Sequence, residues 1–252
     1  MARKRALEKS QTVDIEGRLP LLYNSVVPLT PEQHKALHIS DKRDFSVAAT
    51  TTAIPLTCDE FSQAMRDYPI VFSGADQPTP LALVGLSKGR NDQVDKDGSW
   101  RTGTYVPAYL RRYPFLLVKE QEGSDRQGLC ADLTSMQFEK SSDTGQALFD
   151  DGAPSERLKD ILEFARRYET AILRTSDVMR VVVEHDLIQA STVNLSKGDK
   201  SARIEGFSVI AEEKVRALED AKLADLARRG ILALFTAHQM SLANFSTMGA
   251  IE

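Results

Sequence analysis

Cysteine is nearly missing from this 252-residue sequence. There are two, Cys58 and Cys130, far apart and in no C-x-x-C pattern, so neither a disulfide framework nor a cysteine-ligated zinc site is indicated, and the two thiols are expected to be buried and idle. Long apolar runs are missing as well. A bilayer span needs roughly 18 consecutive apolar residues, and the best stretch, ILALFTAHQMSLANF from Ile231, is too short and too polar. The chain opens on the basic MARKR, but no apolar run of about 7 to 15 residues follows it, so a secretory signal peptide is not expected. The expectation is a cytoplasmic protein without membrane insertion, the alternative being the cell surface, reached by signal-independent export. A dominant charge is lacking too: 32 basic against 36 acidic residues leave a net charge of -4, which gives no reason to expect nucleic acid as a partner.

The strong chemical signatures are also missing. G-x-x-x-x-G-K-[ST], G-x-G-x-x-G and H-E-x-x-H do not occur, so no cofactor is expected and no catalytic residue is assigned. Two weak metal candidates remain. In QVDKDGSW, Asp95, Asp97 and Gly98 match the middle of a calcium loop, but the first ligand position holds Gln93 and the twelfth holds Thr104. A D-x-D-G turn is the better reading, with Gly98 at positive φ and Asp95 capping backbone amides. His34 and His38 stand four apart on an expected short helix, a spacing at which two imidazoles can share a metal, but no third ligand is identifiable. His185 and His238 are isolated.

What is present suffices for a sizeable core, since 42% of residues are hydrophobic. A flexible arm is expected over residues 1–18, then one domain over 19–252. LPLLYNSVVPL reads as extended. Thr30, Pro31 and Gln33 form a T-x-x-Q helix start for a helix running to about Leu37. DFSVAATTTAIPL reads as a strand. Thr57 and Glu60 form a second capping box, before a helix that places Phe61, Ala64, Met65 and Tyr68 on one face. PIVFSG, PLALVGLS and YPFLLVKE read as core strands. A long helix capped by Ser155 follows, then a hairpin across Lys197, Gly198 and Asp199, a helical block from Glu212 to Arg229 ending at Gly230, and a last helix. Strands gathered early and helices late predict an α+β fold with a mixed or antiparallel sheet.

The segment YVPAYLRRYPFLL, Tyr105 to Leu117, stands out by placing two adjacent guanidinium groups among three tyrosines. Arginine offers a planar fork to carboxylates and stacks on aromatic rings, so Arg111, Arg112, Tyr105, Tyr109 and Tyr113, with Trp100 just upstream, are the candidate binding residues. On an extended chain the two arginines point to opposite faces. One is then expected to pin the structure and the other to bind.

LYNSVVPLTPEQH, CDEFSQAMRDYPIVF, ALVGL, VDKDGSW, YVPAYLRRYPF, ALFDDG and GFSVIAEEKVRAL, in that order, resemble the bacterial SapC family from about Leu19 to Phe245. The resemblance implies an association with a surface layer, because the family takes its name from a gene among surface-array genes. Relatives encoded near outer-membrane receptors, flavin-dependent halogenases and cupin-like oxygenases imply a nutrient-uptake or peptide-modification setting. The expected function is a non-enzymatic interaction protein with a protein or peptide partner; the alternative is an accessory enzyme acting on peptides or small molecules. The one departure from the family pattern is Gln93, where a bulkier apolar residue is expected.

Overall fold

A computed structural model of the protein describes residues 19–74, 76–119, 127–139, 145–197 and 200–248. The expected arm over 1–18 and the hairpin tip at Gly198 and Asp199 lie outside the described residues. In chain order the elements are β1 (Val26–Pro28), α1 (Pro31–His34), β2 (His38–Ser40), a 3-10 turn at Ser46–Ala48, β3 (Ala53–Pro55), a 3-10 turn at Cys58–Glu60 running into α2 (Phe61–Ala64), β4 (Ile70–Ser73) and β5 (Thr79–Leu83). Next come α3 (Ala108–Arg112), β6 (Phe115–Lys119), β7 (Gln127–Asp132), β8 (Phe138–Glu139), β9 (Gly145–Ala147), β10 (Phe149–Asp150), β11 (Ala153–Pro154) and α4 (Glu156–Glu184). The last are β12 (Ile188–Lys197), β13 (Lys200–Ile210), α5 (Glu212–Arg216), α6 (Asp220–Arg228), α7 (Ile231–Ser241) and a 3-10 turn at Leu242–Ser246. The strand pairings are antiparallel, and the fold is α+β.

The chain divides into two compact units. Unit 1 takes residues up to Val47 and Arg112–Glu169, and unit 2 takes Ala48–Arg111 and the residues from Thr170 onward. Unit 1 holds two small sheets, ordered β1-β7-β6 and β8-β2-β9, and the β10-β11 hairpin. Its core gathers Ile39, Phe115, Ala131, Leu148, Phe149 and Leu158. Ser155 is the N-cap of α4, as expected: its Oγ accepts from Leu158 N at 3.2 Å and donates to Ala147 O at 2.7 Å.

Unit 2 holds a five-stranded sheet ordered β12-β13-β4-β5-β3, with a core that includes Val71, Leu83, Phe207, Val209 and Phe245. Phe61, Ala64 and Tyr68 are buried on one face after the Thr57 start, and Met65 is half-buried. Gly230 ends α6 in the left-handed region at φ 73°, a conformation that costs glycine little. The two cysteines are free and buried.

Several expected elements are shorter than the sequence suggested. α1 stops at His34 instead of Leu37, and Thr30 caps it without a side-chain bond. The His34 ring takes that place, with Nδ1 3.1 Å from both N and O of Thr30. LPLLYNSVVPL begins with a turn, Tyr23 N donating to Pro20 O, and only Val26–Pro28 pairs as a strand. DFSVAATTTAIPL keeps only Ala53–Pro55 as strand, because Ser46–Ala48 winds into a 3-10 turn. The Glu212–Arg229 block breaks into α5 and α6, with Glu219 extended at ψ 146° between them.

α7 is tied to the sheet through a histidine in the core. β13 meets β4 at Ser208 opposite Phe72, and in that antiparallel register Ile210 lies opposite Ile70. The fully buried His238 ring bridges this next rung. Its Nδ1–H donates to Ile70 O at 2.8 Å and its Nε2 accepts from Ile210 N at 3.2 Å. Ser241, one turn on, accepts from Ile70 N at 2.9 Å. An imidazole thus stands in for a backbone ladder rung, and it must be neutral to do so.

Burial pushes the His238 ring down to about 4. A folded-state value below that of the unfolded chain makes the contribution complete above about pH 6.5 and lost as pH falls toward 4. The difference in unfolding free energy between wild type and His238→Gln is therefore expected to narrow by up to about 3 kcal/mol from pH 7 to pH 4. Urea melts across that range check it, and a pH-independent difference would remove the ring from this role.

Candidate functional site

Pro107 starts the turn that carries the two arginines: Leu110 N and Arg111 N donate to its carbonyl at 3.0 and 3.1 Å. The expected extended conformation is corrected here, because Ala108–Arg112 is helical. Proline supplies no N–H but has the φ of a first helical residue, so the chain winds after it. Successive side chains on a helix diverge by about 100° instead of alternating across a strand. Arg111 and Arg112 still separate, and the boundary between units falls between them.

In unit 2, Arg111 is half-buried. Its Nε donates to Val106 O at 3.1 Å and its Nη2 to the Tyr105 hydroxyl at 2.9 Å. That hydroxyl donates in turn to Glu60 Oε1 at 3.0 Å. Glu60 is buried and is the anchor of the whole group. Its Oε1 also accepts from Ala108 N at 2.6 Å, and its Oε2 accepts from Thr57 N at 2.8 Å and Thr57 Oγ1 at 2.9 Å. Four donors on one carboxylate offset the cost of burying it. Tyr105 N is held by Asp67 Oδ2 at 2.8 Å. Burial, with the Glu60 charge beside it, pushes the Tyr105 phenol up to about 12, so this hydroxyl stays protonated as a donor. Trp100 is buried, and its Nε1 donates to Tyr68 Oη at 3.2 Å; the Tyr68 hydroxyl donates to Tyr105 O. Tyr109 is buried as well.

In unit 1, Arg112 is only 7% exposed. Its guanidinium carbon lies 4.6 Å from the Tyr168 ring centroid and 5.7 Å from that of Tyr23, and its Nη1 donates to Glu169 Oε1 at 3.3 Å. Burial raises the Glu169 carboxyl, outweighing the attraction of Arg112. Tyr113 meets Tyr23 edge to face at 5.1 Å, and the Tyr23 hydroxyl donates to Phe115 O at 2.8 Å. Arg112, Tyr23, Tyr168 and Tyr113 therefore form a packed cluster of rings about a cation.

The weak metal candidates do not come together. His38 lies on β2 and His34 ends α1, so the helical spacing expected of them is not realised. His38 Nδ1 sits 3.2 Å from Ala36 O, and burial lowers the His34 ring. Asp95 and Asp97 belong to a turn closed by the Val94–Trp100 bridge, with Gly98 at φ 79° as expected. One detail is corrected: Asp97, not Asp95, caps the turn, its Oδ1 accepting from Ser99 N at 3.1 Å while Asp95 uses its backbone. Among the described residues, no three His, Cys, Asp or Glu side chains are placed to hold a metal ion. Gln93 is buried and accepts from Thr104 Oγ1 at 3.3 Å, so the polar residue is accommodated by a hydrogen bond.

Sequence reasoning read Glu60 for its local link to Thr57 and missed that the same carboxylate holds Tyr105 and Ala108, more than 40 residues on. Its T-x-x-E setting was the available signal. Tyr23, Tyr168 and Glu169 carried no signal of their contact with Arg112, since it depends on long-range packing.

The model of the SapC family matches residues 29–248. No curated protein and no solved structure matches the chain.

The two arginines differ in what their loss would strand. Arg112→Ala leaves Glu169 and two facing rings around a void and is expected to cost about 3–5 kcal/mol. Arg111→Ala, at a half-buried site whose other members keep Glu60 satisfied, is expected to cost about 1 kcal/mol. Denaturant unfolding of the two variants checks the order, and equal costs would contradict it.

Proposed function

The chain belongs to the SapC family, and from that premise we propose that it is a non-enzymatic protein that binds a protein or peptide partner. Its setting is the bacterial surface layer or outer-membrane uptake, and it acts from the cytoplasm or, after signal-independent export, at the cell surface. No helix among the described residues is long and apolar enough to cross a membrane.

The observation that carries this reading is the posture of Arg111. A half-buried guanidinium is fixed in one orientation by Val106 O and by a tyrosine that is itself fixed by a buried carboxylate. Such a planar donor group, ordered in advance, suits a carboxylate or a peptide carbonyl, because little side-chain entropy remains to be lost on binding. The more reactive groups point away from catalysis. Burial pushes the thiols of Cys58 and Cys130 up to about 12 and about 11, and His238 is engaged through both of its ring nitrogens.

The test is affinity capture from the native host with tagged wild type, Arg111→Ala and Arg111→Lys, the bound proteins being identified by mass spectrometry. A partner retained by wild type and lost with Arg111→Ala, at a melting temperature within about 5 °C of wild type, is the expected result. A partner held equally well by all three would remove Arg111 from the site. A peptide-processing activity abolished by Arg111→Ala would favour the accessory-enzyme reading instead.

A further inference from the structure

The β12-β13 hairpin is longer than the sheet it joins. β13 covers eleven residues, Lys200–Ile210, yet its register with β4 is confined to Ser208 opposite Phe72. Two-stranded ribbons are marginal in water without a third strand or a packed face. One face is provided for: Val193 and Ile204 pack against the core cluster of unit 2. The outer edge is different. Among the described strands β12 has β13 as its neighbour on one side, and it ends the sheet on the other.

That edge lacks the usual guards. Natural sheets discourage edge pairing with charges, prolines or bulges on the outermost strand. From Ile188 to Leu195 the edge reads IQASTVNL, with no charge and no proline. The charge on β12 is confined to its last residue, Lys197, and on the inner strand Arg203 and Glu205 pair with each other at 2.9 Å. The bulge is on the inner strand too. Pairing runs from Ser191 opposite Phe207 to Val193 opposite Ile204, two steps on β12 against three on β13. The extra residue falls beside Gly206, at φ 86°. β12 itself therefore runs uninterrupted, and Gln189, Ala190, Thr192 and Asn194 are exposed along it.

We propose that this edge pairs with the β12 of a second copy of the chain, antiparallel about a two-fold axis near Thr192, joining two five-stranded sheets into one. Charge decides the occupant. About a two-fold axis each side chain near the centre meets its own copy, so a charge there would oppose itself. A strand with no charge over its first eight residues is the composition that self-pairing tolerates, and it offers no complementary charge to an acidic or basic peptide. The contact is smaller than a standard interface, so association is expected at roughly ten to several hundred micromolar protein.

Sedimentation equilibrium of the whole chain across that range, with hydrogen exchange read at low and high concentration, tests the pairing. Wild type is expected to dimerise, with β12 amides gaining protection as concentration rises. Thr192→Lys and Thr192→Glu, each alone, are expected to weaken the dimer about fivefold or more, and an equimolar mixture of the two to restore it. Circular dichroism checks that the variants remain folded. A wild type that stays monomeric throughout would overturn the proposal, as would charge variants that dimerise like wild type or a dimer with unprotected β12 amides. A host peptide protecting β12 in a chain that stays monomeric would overturn it in favour of a different occupant.

Discussion

A buried peptide N–H or C=O must find a partner or cost about 1–3 kcal/mol, and in this protein side chains meet that demand at several long-range points. The reason lies in the lengths of the elements. The described strands other than β12 and β13 all have two to six residues, and α1, α2, α3 and α5 have four or five, so many backbone groups fall at element ends where no ladder reaches them. Glu60 takes the amides of Thr57 and Ala108, Asp67 takes that of Tyr105, and Asp132 takes those of Asn24 and Thr134. Thr175 Oγ1 takes the amide of Cys58 from a position 117 residues later. These bonds, more than regular secondary structure, fix the loops of each unit.

The segment from Tyr105 to Arg112 shows what this arrangement does for a prospective binding group. Its backbone is held at Tyr105 and at Ala108 by carboxylates on either side of α2, so Arg111 emerges from a rigid base. The neighbouring Arg112 carries the same charge but is spent inside unit 1 on rings and a carboxylate. Adjacent residues of one type thus have different fates, decided by which packed surroundings each enters and not by their chemistry.

Much of the architecture was legible in the sequence. The core strands at 70–73, 79–83 and 115–119, the long helix with its Ser155 cap, the hairpin and the Gly230 stop all follow from patterns that act over a few residues. The errors came where a local pattern met competition. Thr30 looked like a helix cap, but the His34 ring claimed its backbone; the Thr-rich run before Pro55 looked like a strand, but only its end found a partner to pair with. The YVPAYLRRYPF segment looked extended because of its prolines and aromatics, yet Pro107 begins a helical turn. The roles of Glu60, Tyr23 and Tyr168 depend on contacts across 45 to 90 residues, and no periodicity within a window reports such contacts.

A serine and a histidine three positions apart on a helix, Ser241 and His238, would suggest a nucleophile with its base to anyone working from spacing alone. Here the hydroxyl proton goes to the main-chain oxygen of His238, and the two imidazole nitrogens serve two different strands. No lone pair on that ring is left to draw a proton from the alcohol. The pair is a mortise joint between helix and sheet, and freeing it for chemistry would mean taking the sheet apart.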